Sequence, residues 1–235
     1  MTVVTVSGQP GTRTRDIGRL AAERLGIDYI DQEILVEAAR TLGVPMETVV
    51  PFDEERATSL GDRLATMLRR FLERSAAAGA ADPLMGAGGL DIVLGRTYAE
   101  AAQVGMQEVS DERYLATLTD IIRDLAAHDN VLIIGRGSQV ILKDQPGAVH
   151  VLLVAPLEHR VQALAAWQGL SHEAAAKRVH DSQKGRASFH HTLFKIDVDD
   201  PALYHLTLNT ARESLELAAQ IIADVTLQLA QRQPG

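Results

Sequence analysis

The pattern of residues 3–31 restricts the fold of this 235-residue chain more than any other stretch does. It begins with a β-branched run and continues into a turn whose residues disfavour a strand, Gly8, Pro10 and Gly11. Apolar residues then recur at helical spacing as far as Gly26, and residues 28–31 predict a second strand. A turn that opens a helix directs several backbone N–H groups toward one place, at the positive end of the helix dipole. The pattern therefore predicts a strand, a turn that attracts phosphate, a helix and a second strand.

The turn matches the phosphate-binding pattern G-x-x-x-x-G-K-[ST] only in part. Counting from Gly8, Arg13 stands at the second glycine and Thr14 stands at the lysine. Arg15 stands where a Ser or Thr normally reaches magnesium. The turn keeps positive charge without the usual lysine. Two interpretations stay open: a phosphate-binding loop, or an ordinary strand–helix turn with a solvated pair of arginines.

Composition excludes several classes of protein. The net charge of −8 and a pI near 5.5 argue against a protein that binds nucleic-acid polymers. The absence of cysteine excludes disulfides and a zinc site built on sulfur. No apolar run approaches the roughly 18 residues of a membrane span, and the first residues lack the pattern of a secretion signal. We expect a cytoplasmic protein that does not bind membranes.

Two apolar runs without alternation, residues 131–134 and 149–154, predict strands that are buried on both faces. Such strands are typical of a parallel sheet covered by helices. Gly135, Arg136, Gly137 and Ser138 follow the first run, at the carboxyl end of a buried strand, where α/β sheets bind ligands. An arginine between two glycines has little room to pack, so we expect Arg136 to contact an anion; a structural carboxylate is the alternative.

Further helices and a last strand follow from spacing and caps. Helices are predicted after Ser110, from Glu158, after Ser171 and over residues 215–229, and a strand over residues 204–208. Arg160 lies in the first turn of its helix, where a cation is disfavoured and needs a partner. The helix after Ser171 carries basic residues on its polar face: Lys177, Arg178, His180, Lys184 and Arg186. This face is either solvated or part of a lid over phosphates.

The remaining segments give less chemistry. Residues 32–42 and 60–78 predict helices, and the Ala- and Gly-rich residues 76–94 predict a mobile loop or a crossing over a ligand. The histidines show no metal-ligand spacing, so we assign no metal site. Three acidic residues follow His190-His191: Asp197, Asp199 and Asp200. We expect them to be loop and capping residues, with a role in binding magnesium as the alternative.

Several segments carry a family resemblance through their order and spacing. They are Leu25-Gly26, Tyr29-Ile30-Asp31, Gly135-Arg136-Gly137, the helix after Leu170-Ser171 with Arg186 and Phe189, and Asp200-Pro201…Tyr204…Leu208-Asn209-Thr210. Together they resemble the cytidylate kinase-like family of P-loop nucleotide kinases, over residues 1–225 and most weakly over 45–105. The resemblance implies an α/β fold, a parallel five-stranded sheet with helices on both faces. It further implies a single domain over residues 1–235, with a helical acceptor-binding, mobile insertion at 45–110 and a lid at 170–200.

The resemblance also implies ATP-dependent phosphoryl transfer, with Mg²⁺, to a nucleoside monophosphate such as cytidylate or to a similar small acceptor. It makes eight residues the donor phosphate loop: Gly8, Gln9, Pro10, Gly11, Thr12, Arg13, Thr14 and Arg15. Asp31 becomes an acceptor-side residue, and Arg136 binds the acceptor phosphate. The catalytic residues are then Arg15, Arg136 and two lid arginines, Arg160 and Arg186, since phosphoryl transfer depends on positioning and charge neutralisation.

The sequence departs from the family pattern at three positions. Family members often carry a Gly-Ser-Gly-Gly-Arg loop without the lysine; Arg15 matches its arginine, whereas Arg13 and Thr14 replace two glycines. Gln183 stands where we expect an acidic residue three positions before Arg186. Two functions therefore stay open: a working nucleotide kinase, or a kinase-like protein that binds a nucleotide or anion as a sensor or interaction module. The helix at 60–78 and the last helix offer apolar area that could pair in a homodimer.

Overall fold

The computed structural model describes residues 1–31, 111–128 and 130–231 of the chain. The predictions for residues 32–110, including the helices at 32–42 and 60–78, the loop at 76–94 and the insertion at 45–110, lie outside these residues.

The described residues form one parallel sheet. Its strands are β1 (Val3–Gly8), β2 (Asp28–Ile30), β3 (Val131–Ile134), β4 (Ala148–Val154) and β5 (Leu206–Asn209). They lie in the order β2-β3-β1-β4-β5, and every pair of neighbours is parallel. The prediction of a parallel five-stranded sheet is confirmed. β1 lies at its centre, so the turn that follows β1 lies at the middle of the carboxyl edge.

Helices cover both faces of the sheet. They are α1 (Thr14–Leu25), α2 (Asp111–His128), α3 (Ser138–Ile141), α4 (Leu157–Gln168), α5 (His172–Phe194) and α6 (Leu215–Gln231), with a short 3-10 helix at Pro201–Leu203. One core joins alternate β1 residues, Val4 and Val6, to α1 and α6. The intervening residues, such as Ser7, face the opposite side, where α5 packs.

Two details differ from the sequence-based predictions. The last strand begins at Leu206, not at Tyr204, because the Tyr204 N–H bonds to the Pro201 carbonyl and closes the 3-10 turn. Arg186 does not lie on the polar face of its helix: it is buried. The reason is that α5 continues to Phe194, so that Arg186, Phe189 and His190 form a face directed inward.

The described residues include no helix long and apolar enough to cross a membrane.

Candidate functional site

The first bend, residues 8–15, leads from β1 into α1. Arg13 is the N-cap of α1, has a left-handed backbone with φ 57°, and makes no side-chain cap. The first N–H groups of a helix have no partner within it, so those at the start of α1 face the bend. The positive end of the dipole of α1 therefore lies at the carboxyl edge of the sheet, as the sequence predicted.

Side chains of the first bend pack within it. The Thr12 hydroxyl donates to the Gln9 carbonyl at 2.7 Å and lies 2.8 Å from the Thr14 hydroxyl. A methyl group added at Gly8 would overlap the Thr14 hydroxyl. Thr14, which replaces the usual lysine, therefore occupies space directly beside the first glycine of the pattern.

The outer side of the first bend packs against the start of α4. Gly11 has φ 91°, and a Cβ there would lie 2.5 Å from the Arg160 carbonyl oxygen, so only glycine fits. The Arg160 guanidinium donates to the carbonyls of Ala155 (3.0 Å) and Pro10 (3.3 Å). These carbonyls, with the Gln183 side chain at 3.5 Å, are the partners that the position of Arg160 required.

The Arg186 side chain, from α5, also reaches the first bend. Its guanidinium donates to the Asp199 carboxylate at 2.6 Å and to the Ser7 hydroxyl, one residue before the bend, at 3.0 Å. The Asp199 carboxylate also accepts from the side chains of Gln9 (3.3 Å) and Gln183 (2.9 Å). Burial opposes ionisation of Asp199, but the Arg186 charge and these donors hold its pKa below the usual value.

Beside the first bend, the described residues place more buried positive than negative charge. Arg160 and Arg186 are both buried, at 8% and 2% exposure. Within the described part of the chain, Asp199 is in salt-bridge contact with Arg186, and no carboxylate is in such contact with Arg160. Burial lowers the pKa of the Arg160 guanidinium, and the nearby Asp199 carboxylate opposes this change. The guanidinium still remains charged at neutral pH. Two buried cations thus share one carboxylate beside the first bend.

The second bend, residues 135–138, follows β3. Gly135, Arg136 and Gly137 all have left-handed backbones, with φ 67°, 59° and 71°. Arg136 is buried, and its charge helps to lower the pKa of His190 on α5. The structure therefore places Arg136 near the inward face of α5 that also carries Arg186.

Arg15 and Asp31 come together at the end of β2. The Arg15 Nε lies 3.8 Å from Asp31 Oδ2, which also accepts a hydrogen bond from the Tyr29 hydroxyl at 2.9 Å. Burial, and then Asp31, raise the pKa of Tyr29, so the phenol stays protonated. Arg15 thus contacts the residue assigned to the acceptor side, whereas Arg13 pairs with Asp16 on its own helix.

Sequence reasoning missed the partners that organise the arginines. The sequence indicates Asp199 as a loop or capping residue, or alternatively a magnesium partner, and Gln183 as a departure from the family. In the structure the carboxylate absent at position 183 is supplied by Asp199, whose side chain contacts Gln183 directly. One feature of the sequence points to an acidic partner for the arginines, the group of three aspartates after the long helix α5. It does not indicate which of the three side chains faces inward. Asp197 and Asp200 do act as local caps.

The structure describes no cluster of three or more His, Asp or Glu side chains suited to a metal ion within residues 1–31, 111–128 and 130–231.

Comparison with known proteins finds two cytidylate kinases and one uronate isomerase among the similar chains. A cytidylate kinase of Methanopyrus kandleri is 24% identical over 213 residues, which cover 90% of this chain and 86% of that protein. A cytidylate kinase of Thermococcus kodakarensis is 27% identical over 118 residues, covering 47% of this chain and 60% of that protein. A uronate isomerase of Corynebacterium glutamicum is 26% identical over 99 residues, covering 42% of this chain but only 19% of that protein.

A solved structure of an uncharacterized protein from Eubacterium ventriosum covers 97% of this chain and 98% of its own, at 13% identity and a TM-score of 0.59. It shares the fold. The profile of the cytidylate kinase-like family matches residues 3–212, which include β1 to β5 and both bends. The chain therefore belongs to the cytidylate kinase-like family.

Proposed function

We propose that this protein binds the phosphate groups of a nucleotide at the first bend and transfers a phosphoryl group from ATP to a nucleoside monophosphate, cytidylate-like, or to a similar small acceptor. The observation that carries the proposal is the excess positive charge beside the bend: Arg160 and Arg186 are buried, and among the described residues Asp199 is the one carboxylate in salt-bridge contact with either. Burying a cation without a counter-charge is costly even where neutral acceptors contact it, so such a site favours an anionic ligand.

The proposed roles follow from position. N–H groups at the start of α1, with Arg160 and Arg186, bind and neutralise the donor phosphates. Arg136, in the bend after the neighbouring strand β3, binds the acceptor phosphate, and Asp31, held by Tyr29 and Arg15, orients the acceptor. The reaction needs no covalent intermediate with the protein, because phosphoryl transfer depends on alignment and charge neutralisation.

Magnesium fits the described residues poorly. Arg15 stands where a Ser or Thr would reach the ion, and the hydroxyls of Thr12 and Thr14 bond to each other. Mg²⁺ is commonly bound through substrate phosphates, waters and one or two carboxylates, and it would neutralise charge on ATP. Among the described residues, magnesium would therefore be held by the phosphates of ATP and by water and not by the threonines of the first bend.

Residues 170–200 are proposed as the lid. They comprise α5 and the loop with Asp199, and they supply Gln183 and Arg186 to the first bend. We propose that they belong to a single domain spanning 1–235.

A coupled assay of ADP release tests the proposal. We expect turnover with Mg-ATP and an acceptor from a panel of nucleoside monophosphates that includes CMP. Arg160→Ala should reduce turnover strongly and weaken ATP binding, measured by thermal shift, because it removes a buried cation that pairs with no carboxylate of the described segments. Arg178→Ala, an exposed position on α5, is the matched control and should behave as wild type. Equal turnover in both variants would contradict the assignment of Arg160.

One observation favours a second function, binding without turnover. Thr14 packs against Gly8, which restricts the approach of a phosphate to the backbone. A sensor or interaction module would show a shift in melting temperature with ATP or CMP but no ADP release with any acceptor. Thr14→Gly should then strengthen ATP binding and still produce no ADP.

A further inference from the structure

The Asp199 carboxylate is bound as an anion would be bound. Three side chains from two elements converge on it: Gln9 from the first bend, and Gln183 and Arg186 from α5. Its side chain retains 29% exposure, whereas that of Arg186 is only 3% exposed. The carboxylate thus lies between the buried guanidinium and solvent.

We propose that Asp199 is an internal competitor for the anion site, a carboxylate that occupies Arg186 until the phosphate of a ligand displaces it. The proposal rests on the proposed function, since it concerns the same arginines. Displacement needs only rotation of the Asp199 side chain, because the loop itself is held separately: Val198 is buried, and its carbonyl accepts from the Tyr204 hydroxyl at 2.7 Å.

Displacement also couples ligand binding to the lid. Asp199 joins Gln9 of the first bend to Gln183 of α5, and Gln9 in turn accepts from the Ala155 N–H with its side-chain oxygen. When the carboxylate leaves, these two amide side chains lose their shared acceptor. A phosphate oxygen is the acceptor that can replace it, so binding exchanges one anion for another on the same donors.

Calorimetric titration with inorganic pyrophosphate, without magnesium, tests the proposal. Asp199→Asn keeps the shape of the side chain and a hydrogen-bond acceptor for Arg186 but removes the competing charge. We expect pyrophosphate to bind about ten-fold more tightly to this variant, which corresponds to about 1.4 kcal/mol. A purely structural role of Asp199 predicts the reverse, because disordered donors bind an anion less well.

Two further variants sharpen the test. Asp200→Asn makes the same change of net charge one residue away, at a side chain whose contact is the Ala202 N–H of the 3-10 helix. It should bind pyrophosphate within about two-fold of wild type, because exposed charges are screened. Gln183→Glu keeps Asp199 and adds a carboxylate beside both arginines, so binding should weaken at least about five-fold. Asp199→Ser, which also removes the competing charge, decides the question if Asp199→Asn does not fold.

The outcomes separate the two proposals. Pyrophosphate binding that Arg160→Ala abolishes, together with no gain in Asp199→Asn, overturns the internal competitor and leaves the anion site standing. Binding that is absent in wild type and in every variant overturns both. Tighter binding in Asp199→Asn and weaker binding in Gln183→Glu support the competitor.

Discussion

The two bends at the carboxyl edge of the sheet share a local conformation and differ in what covers them. They follow neighbouring parallel strands, β1 and β3, and each holds an arginine with a left-handed backbone, Arg13 at φ 57° and Arg136 at φ 59°. Arg136 is 4% exposed, whereas the side chain of Arg13 is 41% exposed and pairs with Asp16.

The difference comes from the helices. The end of α5 packs the Phe194 ring against Gly137, so Arg136 is enclosed. The first bend is covered at Gly11 by the start of α4, whereas the Arg13 side chain stays partly exposed. Backbone conformation alone therefore does not decide whether an arginine at this edge is available to a buried ligand; the packing of a distant helix decides it.

The largest expected loss of stability comes from a substitution where the Phe194 ring packs against the second bend. Gly137→Ala forces a Cβ into the Phe194 ring and strains a backbone at φ 71°, so we expect a loss of about 2–4 kcal/mol of unfolding free energy. Gly26→Ala is the matched control: φ is 65° and nothing lies within 4 Å, so strain alone should cost about 1 kcal/mol. Urea unfolding compares them, and equal losses would mean that Phe194 does not confine the second bend.

Low pH should reduce the unfolding free energy through His190, on the part of α5 that packs near the second bend. Burial chiefly, with Arg186 and Arg136, lowers the pKa of His190 from 6.5 to about 4, despite opposing contributions from the Arg186 carbonyl and Asp199. The unfolded chain therefore takes up a proton between pH 6.5 and 4 that the folded protein does not, and stability falls as the pH falls through this range. His190 contributes about 3 kcal/mol of this loss.

His190→Gln should flatten the dependence of unfolding free energy on pH in that window, and His191→Gln, at the exposed neighbouring position, is the matched control for the substitution. Burial likewise lowers the pKa of His150, beside Thr5 in the sheet, to about 4, so the variant should retain a residual slope. Identical slopes in wild type and His190→Gln would show that His190 can be protonated within the folded protein.

How much of this arrangement could be predicted from the sequence depends on the range of the interactions. The strands, the turns and the Ser171 cap follow from neighbouring residues, and the structure confirms them. The burial of Arg186 could not be predicted, because its partners Ser7 and Asp199 lie 179 and 13 positions away. A helix whose polar face looked solvated turns that arginine inward only because its continuation, through Phe189 and His190, packs on the sheet.

The next largest effect is expected on CMP affinity, when the buried Arg136 is replaced. Arg136→Ala removes one charge-assisted contact to the acceptor phosphate, so CMP binding should weaken by about 1.5–3 kcal/mol. Arg24→Ala, an exposed position on α1, controls for the change of net charge. Unchanged CMP affinity by calorimetry in Arg136→Ala would remove this residue from the proposed acceptor site.

The smallest effect is expected at the exposed arginine. Arg13→Ala removes a solvated ion pair with Asp16, which should change unfolding free energy by less than about 0.5 kcal/mol. A larger loss in urea unfolding would indicate that Arg13, like Arg136, packs against the rest of the protein.

The most direct test of the account is a crystal structure of the protein with ADP. We expect phosphate oxygens within about 3 Å of the Arg160 guanidinium and of N–H groups at the start of α1. ADP bound with its phosphates elsewhere, while Arg160 still donates only to Ala155, Pro10 and Gln183, would contradict it.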